Sequence, residues 1–107
     1  MFRDLVFLDF VEFDWSGGND AKILAKHNVT TREAEAIFFN KPLFIAADSP
    51  HSKDEERYFA FGLTTEGRRL FVSFTLRDSR IRIISARDLS RQERKRFQNE
   101  IKKASSI

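Results

Sequence analysis

Arg69-Leu70-Phe71-Val72-Ser73-Phe74-Thr75-Leu76-Arg77, then Asp78-Ser79, then Arg80-Ile81-Arg82-Ile83-Ile84-Ser85-Ala86, is the stretch that decides the fold. Leu70, Val72, Phe74 and Leu76 fall on one side of a period-two pattern, and Arg69, Phe71, Ser73, Thr75 and Arg77 on the other. Ile81 and Ile83 alternate with Arg80 and Arg82 in the same way. Runs of this kind joined by a tight polar turn must pair antiparallel.

Upstream, Glu56–Leu63 is a Phe- and Tyr-rich strand that ends at Thr64-Thr65-Glu66-Gly67, a hairpin-type connection. Pro42–Ala47 reads as a short apolar strand, followed by a polar loop from Asp48 to Asp54. Before it, Thr30-Thr31-Arg32-Glu33 has the form of a capping box, with Ala34, Ile37 and Phe38 at helical spacing and Asn40 and Pro42 as a stop. An earlier helix is expected from Asn19 or Asp20, as cap, to about His27. It has Ile23, Leu24 and His27 on one side, and Asn28 suits a left-handed exit. Phe10–Phe13 reads as a short strand closed by the turn Asp14-Trp15-Ser16-Gly17-Gly18. Downstream, Ser90-Arg91-Gln92-Glu93 is a second capping box opening a helix from about Leu89. Its apolar stripe is thin, with Leu89, Phe97 and Ile101 set among Arg94, Lys95, Arg96, Lys102 and Lys103. The expected class is α+β: an antiparallel meander of about four strands, two helices before it and one basic helix after it. Phe38, Phe59, Phe61, Val72, Phe74 and Ile83 are the expected core.

The 107 residues amount to a single domain, with residues 1–9 as an apolar-rich lead or extension. No cysteine is present, which excludes a disulfide framework, a thiol nucleophile and a Cys-based zinc site. The longest apolar run is five residues, Leu43–Ala47, too short to span a membrane. Acids in Met1–Phe10 and the lack of a small-residue cleavage site argue against a signal peptide, so a cytoplasmic protein is expected. Charge is unevenly spread. Residues 1–67 carry 7 Lys+Arg against 12 Asp+Glu, whereas residues 68–107 carry 12 against 4, and nine of those twelve cations are arginines. A basic half on a small domain points to a nucleic-acid backbone or an acidic partner; a solvated charged face is the plainer alternative.

Chemistry is narrowed by exclusion. His27 and His51 are the only histidines and lie in separate elements, so no metal site is expected. Gly17, Gly18, Gly62 and Gly67 have no nucleotide-loop spacing, and no Ser or Thr sits in a nucleophile elbow. Arg57, Arg69, Arg77, Arg82 and Arg87 fall in or just beyond neighbouring strands. Clustered cations suit a phosphodiester, whose cleavage builds negative charge on phosphorane oxygens. Metal-free cleavage of RNA also needs a base for the 2′-hydroxyl and an acid for the leaving oxygen. Lys26, His27, His51, Glu55 and Glu56 are the candidates. Cross-strand ion pairs on a protein surface would use the same residues.

Phe13-Asp14-Trp15, Ala25-Lys26-His27-Asn28-Val29, Ala34, Phe38, His51-Ser52-Lys53-Asp54-Glu55-Glu56-Arg57, Gly62, Gly67-Arg68-Arg69-Leu70, Thr75, Arg77, Ile81-Arg82-Ile83-Ile84-Ser85-Ala86-Arg87 and Glu93-Arg94 together resemble the BrnT family, toxins of bacterial type II toxin–antitoxin systems. The resemblance runs from roughly Glu12 to Phe97. It implies a RelE-like fold and cofactor-free, metal-independent endoribonuclease activity that inhibits translation and growth. It further implies neutralisation by a BrnA-like antitoxin with a ribbon-helix-helix domain, through which the complex binds operator DNA. Lys26, His27, His51, Glu55, Arg57, Arg68, Thr75, Arg77, Arg82 and Arg87 fall at the family's polar positions. Of these, His51 or Glu55 is assigned proton transfer, and Arg77 and Arg82 charge stabilisation. Lys26 and Arg68 would anchor the RNA backbone, with His27, Arg57, Thr75 and Arg87 as further RNA contacts. Which residue is base and which acid stays open. The sequence departs from the family in carrying Asn28 where a Gly is usual, Ser16-Gly17-Gly18 after the Trp, and the lead 1–9. A non-catalytic basic module that binds RNA or protein is the alternative function, and it would leave growth unaffected.

Overall fold

A computed structural model describes residues 12–51 and 55–105 of the chain. Two helices, α1 (Asn19–His27) and α2 (Thr31–Ala36), precede four strands: β1 (Phe44–Ala47), β2 (Arg57–Leu63), β3 (Arg69–Arg77) and β4 (Arg80–Asp88). A third helix, α3 (Arg91–Ser105), follows. The strands form one antiparallel sheet in the order β1-β2-β3-β4, so the α+β meander expected from the patterning is the architecture found.

Turn chemistry sets the registers. Asp78 and Ser79 both adopt left-handed backbone, with φ of 52° and 63°, which gives the β3–β4 hairpin a turn whose twist matches its strands. Between β2 and β3, Gly67 takes φ 88° and its N–H donates to the Thr64 carbonyl at 2.9 Å.

One sheet face buries Tyr58, Ala60, Leu70, Val72, Phe74, Ile81, Ile83 and Ala86 against Ile23, Val29, Ala34, Ile37 and Phe38 of the helical layer. Phe74 meets Phe38 edge-on at 5.2 Å and stacks on Tyr58 at 5.5 Å. Each such buried side chain contributes about 1.5–3 kcal/mol by leaving water. On the other face, Phe44, Phe59, Phe61, Leu63 and Phe71 pack with Leu89, Phe97 and Ile101 of the α3 segment. The thin stripe of α3 suffices because Phe97, 1% exposed, plugs into an aromatic bed.

Both capping boxes form. Thr30 Oγ1 accepts from the Glu33 N–H at 3.0 Å, and Ser90 Oγ from the Glu93 N–H at 3.2 Å, while each glutamate accepts from its cap residue's N–H. Asn28 is left-handed at φ 53°, as a residue standing in for Gly there must be.

Three expectations need correction, and a fourth falls partly outside the described residues. Gly18, left-handed at φ 74°, holds the N-cap of α1; Asn19 does not cap, because its amide donates to the Ile83 carbonyl at 3.1 Å instead. Leu24 is 49% exposed and lies off the packed side of α1. Phe59 is only half-buried, since α3 covers its face of the sheet incompletely, whereas Phe38, Phe61, Val72, Phe74 and Ile83 are buried. The strand expected at Phe10–Phe13 has Phe10 and Val11 outside the described residues, as is the lead 1–9. Phe13 makes a single parallel bridge to Ile81, with hydrogen bonds from the Ile81 N–H to the Glu12 carbonyl (2.8 Å) and from the Asp14 N–H to the Ile81 carbonyl (2.9 Å). No helix among the described residues is long and apolar enough to cross a membrane.

Candidate functional site

β3 and β4 slip register between Ser73 and Phe74: Ser73 faces Ser85, Phe74 faces Ile83, and Ile84 is the extra residue. Simple alternation would set Arg82 and Arg87, five positions apart, on opposite faces. The bulge returns both to the face that α3 partly covers. Thr75 on that face stands in register between Arg57 of β2 and Arg82 of β4. Side chains so placed are direct cross-strand neighbours, with Cβ atoms about 4.5–5.5 Å apart. The apolar cluster under α3 does not include any member of this row.

Thr75 is 1% exposed and its Oγ1 donates to the Glu56 carbonyl at 2.7 Å, so it ties the residue before β2 to β3 and spends its one proton inside the protein. Arg77, at the end of β3, reaches Glu55 Oε2 at 3.5 Å, and both side chains are exposed. Arg80, opposite Arg77, pairs with Glu12 at 3.2 Å. Arg82 differs: it makes no hydrogen bond or ion pair among the described residues. Its guanidinium instead lies on the backbone of Gly17. Nearby Asp14 is held below the usual carboxylate range, first by hydrogen bonds from Ser16 and more weakly by the charges of Arg82 and Arg80. Trp15 Nε1 donates to Glu35 Oε2 at 2.7 Å and ties this loop to α2.

His51 ends a 3-10 turn, Ser49–His51, in the β1–β2 connection. That connection leaves β1 beside the row, where the Asp48 N–H donates to the Arg57 carbonyl at 2.8 Å. The side chain of His51 and the backbone of 52–54 lie outside the described residues.

The remaining sequence-derived candidates lie toward the other end of the sheet. Arg87 pairs with Phe71, four residues along β3 from Thr75, or roughly 13 Å at strand rise. Its guanidinium grips Glu93 through two bonds of 2.7 and 3.0 Å and sits 4.2 Å above the Phe71 ring. The pairing pushes Arg87 further above its ordinary value and holds Glu93 below the usual carboxylate range. Arg68 clamps three segments through four partners: Asp88 (2.7 Å), Glu33 (3.1 Å) and the adjacent carbonyls of Asn28 (2.9 Å) and His27 (3.4 Å). Asp88 is lowered chiefly by Arg68, and Glu33 first by the Thr30 N–H and then by Arg68. His27 is half-buried at the end of α1, and Lys26 beside it is exposed. The structure therefore gathers Glu55, Arg57, Thr75, Arg77 and Arg82. Of His51 the structure shows only that its 3-10 turn touches β2, and it separates Lys26, His27, Arg68 and Arg87 from the row. The part played by Gly17 was not apparent from sequence, where Gly17-Gly18 reads only as a turn.

Among the described residues no three His, Asp or Glu side chains come together as a metal site. What the row offers is guanidinium donors, braced by a buried threonine, at a strand end, an arrangement suited to an anionic phosphodiester. A family model described as "Ribonuclease toxin, BrnT, of type II toxin-antitoxin system" matches residues 15–93. No curated protein matches the chain significantly.

Proposed function

Because the chain belongs to the BrnT family, ribonuclease toxins of type II toxin–antitoxin systems, we propose that it cleaves RNA without a metal ion at the row formed by Arg57, Thr75 and Arg82. Arg82 carries this reading. It is a half-buried arginine that makes no hydrogen bond or ion pair among the described residues, aligned with a buried threonine and a second arginine. The donor chemistry supports metal independence, since guanidiniums repel cations and supply the charge that a metal would otherwise bring.

In this mechanism the 2′-hydroxyl oxygen attacks the adjacent phosphorus, and the 5′-oxygen leaves. Arg82 and Arg77 hold the non-bridging oxygens as they gain charge. His51 or Glu55 moves the protons, one to and one from the reacting oxygens. Glu55 is tied to Arg77 only at 3.5 Å on the surface, a contact weak enough to yield to substrate. Arg57 positions the RNA backbone, and Thr75, expected from sequence as an RNA contact, acts instead by bracing the strands that carry the two arginines. Lys26 and His27 would touch RNA further along, whereas Arg68 and Arg87 would have to release their carboxylates to do so.

The toxin would act in the cytoplasm by cleaving RNA and so stopping translation. Its antitoxin would be of the BrnA type, with a ribbon-helix-helix domain that carries the complex to operator DNA and a segment that covers the cationic row. Expression of the chain alone should arrest growth, co-expression with the antitoxin should restore it, and the purified protein should cleave RNA in EDTA. Unaffected growth with intact RNA would hand the protein to the non-catalytic binding reading.

A further inference from the structure

We propose that the outer face of α3 is a second RNA-backbone contact, apart from the row at Thr75; this rests on RNA being the substrate. Arg91, Arg94, Lys95 and Lys102 join Arg69 of β3 around an open groove of about 480 Å³. The rest of its lining is Gln98 and Asn99. On α3 these residues follow steps of three and four, which places them on one continuous stripe. From Arg91 to Lys102 the stripe is about 17 Å long at helical rise.

What sets this group apart is that several cations without a carboxylate partner share one groove. Arg68, Arg77, Arg80, Arg87 and Lys103 each face a carboxylate. All five groove cations are exposed, and none of their side chains makes an ion pair or hydrogen bond among the described residues. Arg91 and Arg94 moreover stand in the first turns of α3, where the positive end of the helix dipole disfavours a cation. Like charges gathered in one groove, two of them at the wrong helix end, cost stability in the free protein and are relieved when a polyanion binds.

The lining favours a phosphodiester over a protein. Protein interfaces depend on a desolvated apolar or aromatic centre and are poor in lysine. This stripe has no apolar side chain, because Phe97 and Ile101 turn toward the sheet. Nucleic-acid interfaces are polar and strongly positive. Arginine forks match phosphate, and the amides of Gln98 and Asn99 serve ribose and phosphate oxygens. Arg69 lies six residues along β3 from Thr75, roughly 20 Å, so one RNA strand can be held at α3 and cut at the row.

The test uses the full chain and a fluorescent single-stranded RNA of roughly 12 nucleotides, 2′-O-methylated so that it cannot be cleaved. Affinity is measured against KCl concentration. The triple variant Arg91→Gln, Arg94→Gln, Lys95→Gln should flatten the slope of log affinity against log salt by about 2, at about 0.7 per lost contact. With cleavable RNA its defect should enter KM rather than kcat. Lys103→Gln, which removes a cation paired with Glu100, should leave the slope unchanged. An unchanged slope in a folded triple variant would overturn the proposal. So would a variant that loses affinity for polyglutamate and not for RNA, which would make the groove an acidic-protein site. A wild type that binds RNA with the full slope but never cuts it would refute the catalytic row and leave the groove standing.

Discussion

The guanidinium of Arg82 lies against the backbone of Gly17, so closely that a methyl group on Gly17 would collide with Nη2 and sit 3.2 Å from Cζ. Gly17 needs no glycine for its own backbone, since only Gly18 beside it has the left-handed φ of 74°. The two glycines therefore do separate things. Gly18 makes the turn, and Gly17 leaves room for the side chain of Arg82, on which the proposed catalytic row depends.

Gly17→Ala should push Arg82 aside and slow RNA cleavage about tenfold to a hundredfold, as small misplacements of a catalytic group do, with little change in melting temperature. In an Arg82→Ala background the same substitution should cost nothing further. Gly18→Ala, where nothing lies within 4 Å, should instead lose about 1–2 kcal/mol of stability and keep its cleavage rate per folded molecule. Wild-type cleavage by Gly17→Ala would show that Arg82 works from another position.

Arg68, just before β3, joins the end of α1, α2 and the end of β4, so Arg68→Met should destabilise the fold. The loss should be about 1–3 kcal/mol, the range of charge-assisted hydrogen bonds; the Asp88 arm, 62% exposed, contributes the smaller share. Folding lowers the affinity of Glu33 and Asp88 for protons, so the unfolded chain binds more of them in acid. Their contribution is present above their unfolded values, 4.5 and 3.8, and is lost as pH falls through the lower folded ones. Urea unfolding of Arg68→Met should consequently show a shallower loss of stability in acid than the wild type. Parallel curves would assign the clamp no electrostatic role.

Gly62 has no side chain because Ile37 is in the way. A Cβ there would lie 2.8 Å from Ile37 Cβ and 3.3 Å from Leu43 Cδ1. Ile37 is fully buried and cannot retreat. Gly62→Ala should therefore cost about 1–3 kcal/mol by overpacking, with a lower melting temperature and an unchanged cleavage rate below it. Undiminished thermal stability would mean that the helical layer yields more readily than its packing suggests.

Much of this architecture is legible in the chain because it is local. Capping boxes at Thr30 and Ser90, the left-handed Asn28, the alternation of Arg69–Arg77 and the turn at Asp78-Ser79 are each decided by a few neighbouring residues. The site is less so. An extra residue at Ile84 sets which face Arg87 shares, and nothing in Ile83-Ile84-Ser85 announces a bulge. Arg68 and Arg87 resemble substrate-binding arginines in sequence, but Asp88, Glu33 and Glu93 reach them only once distant segments pack. The carboxylate that Arg82 lacks is equally a tertiary fact. So is the failure of Asn19 to cap α1, since the Ile83 carbonyl that takes its amide is 64 residues away.

The single-turnover cleavage rate of saturated RNA by Arg82→Ala, in EDTA, tests the central claim most directly. Losing one preorganised charged donor should cost roughly 2.7–4 kcal/mol of transition-state stabilisation, a hundredfold or more in rate. Lysine should restore little, because a point charge does not reproduce the planar fork. The variant's circular dichroism and melting should match the wild type, since Arg82 makes no hydrogen bond or ion pair among the described residues. A folded Arg82→Ala protein that cleaves at the wild-type rate would contradict the account.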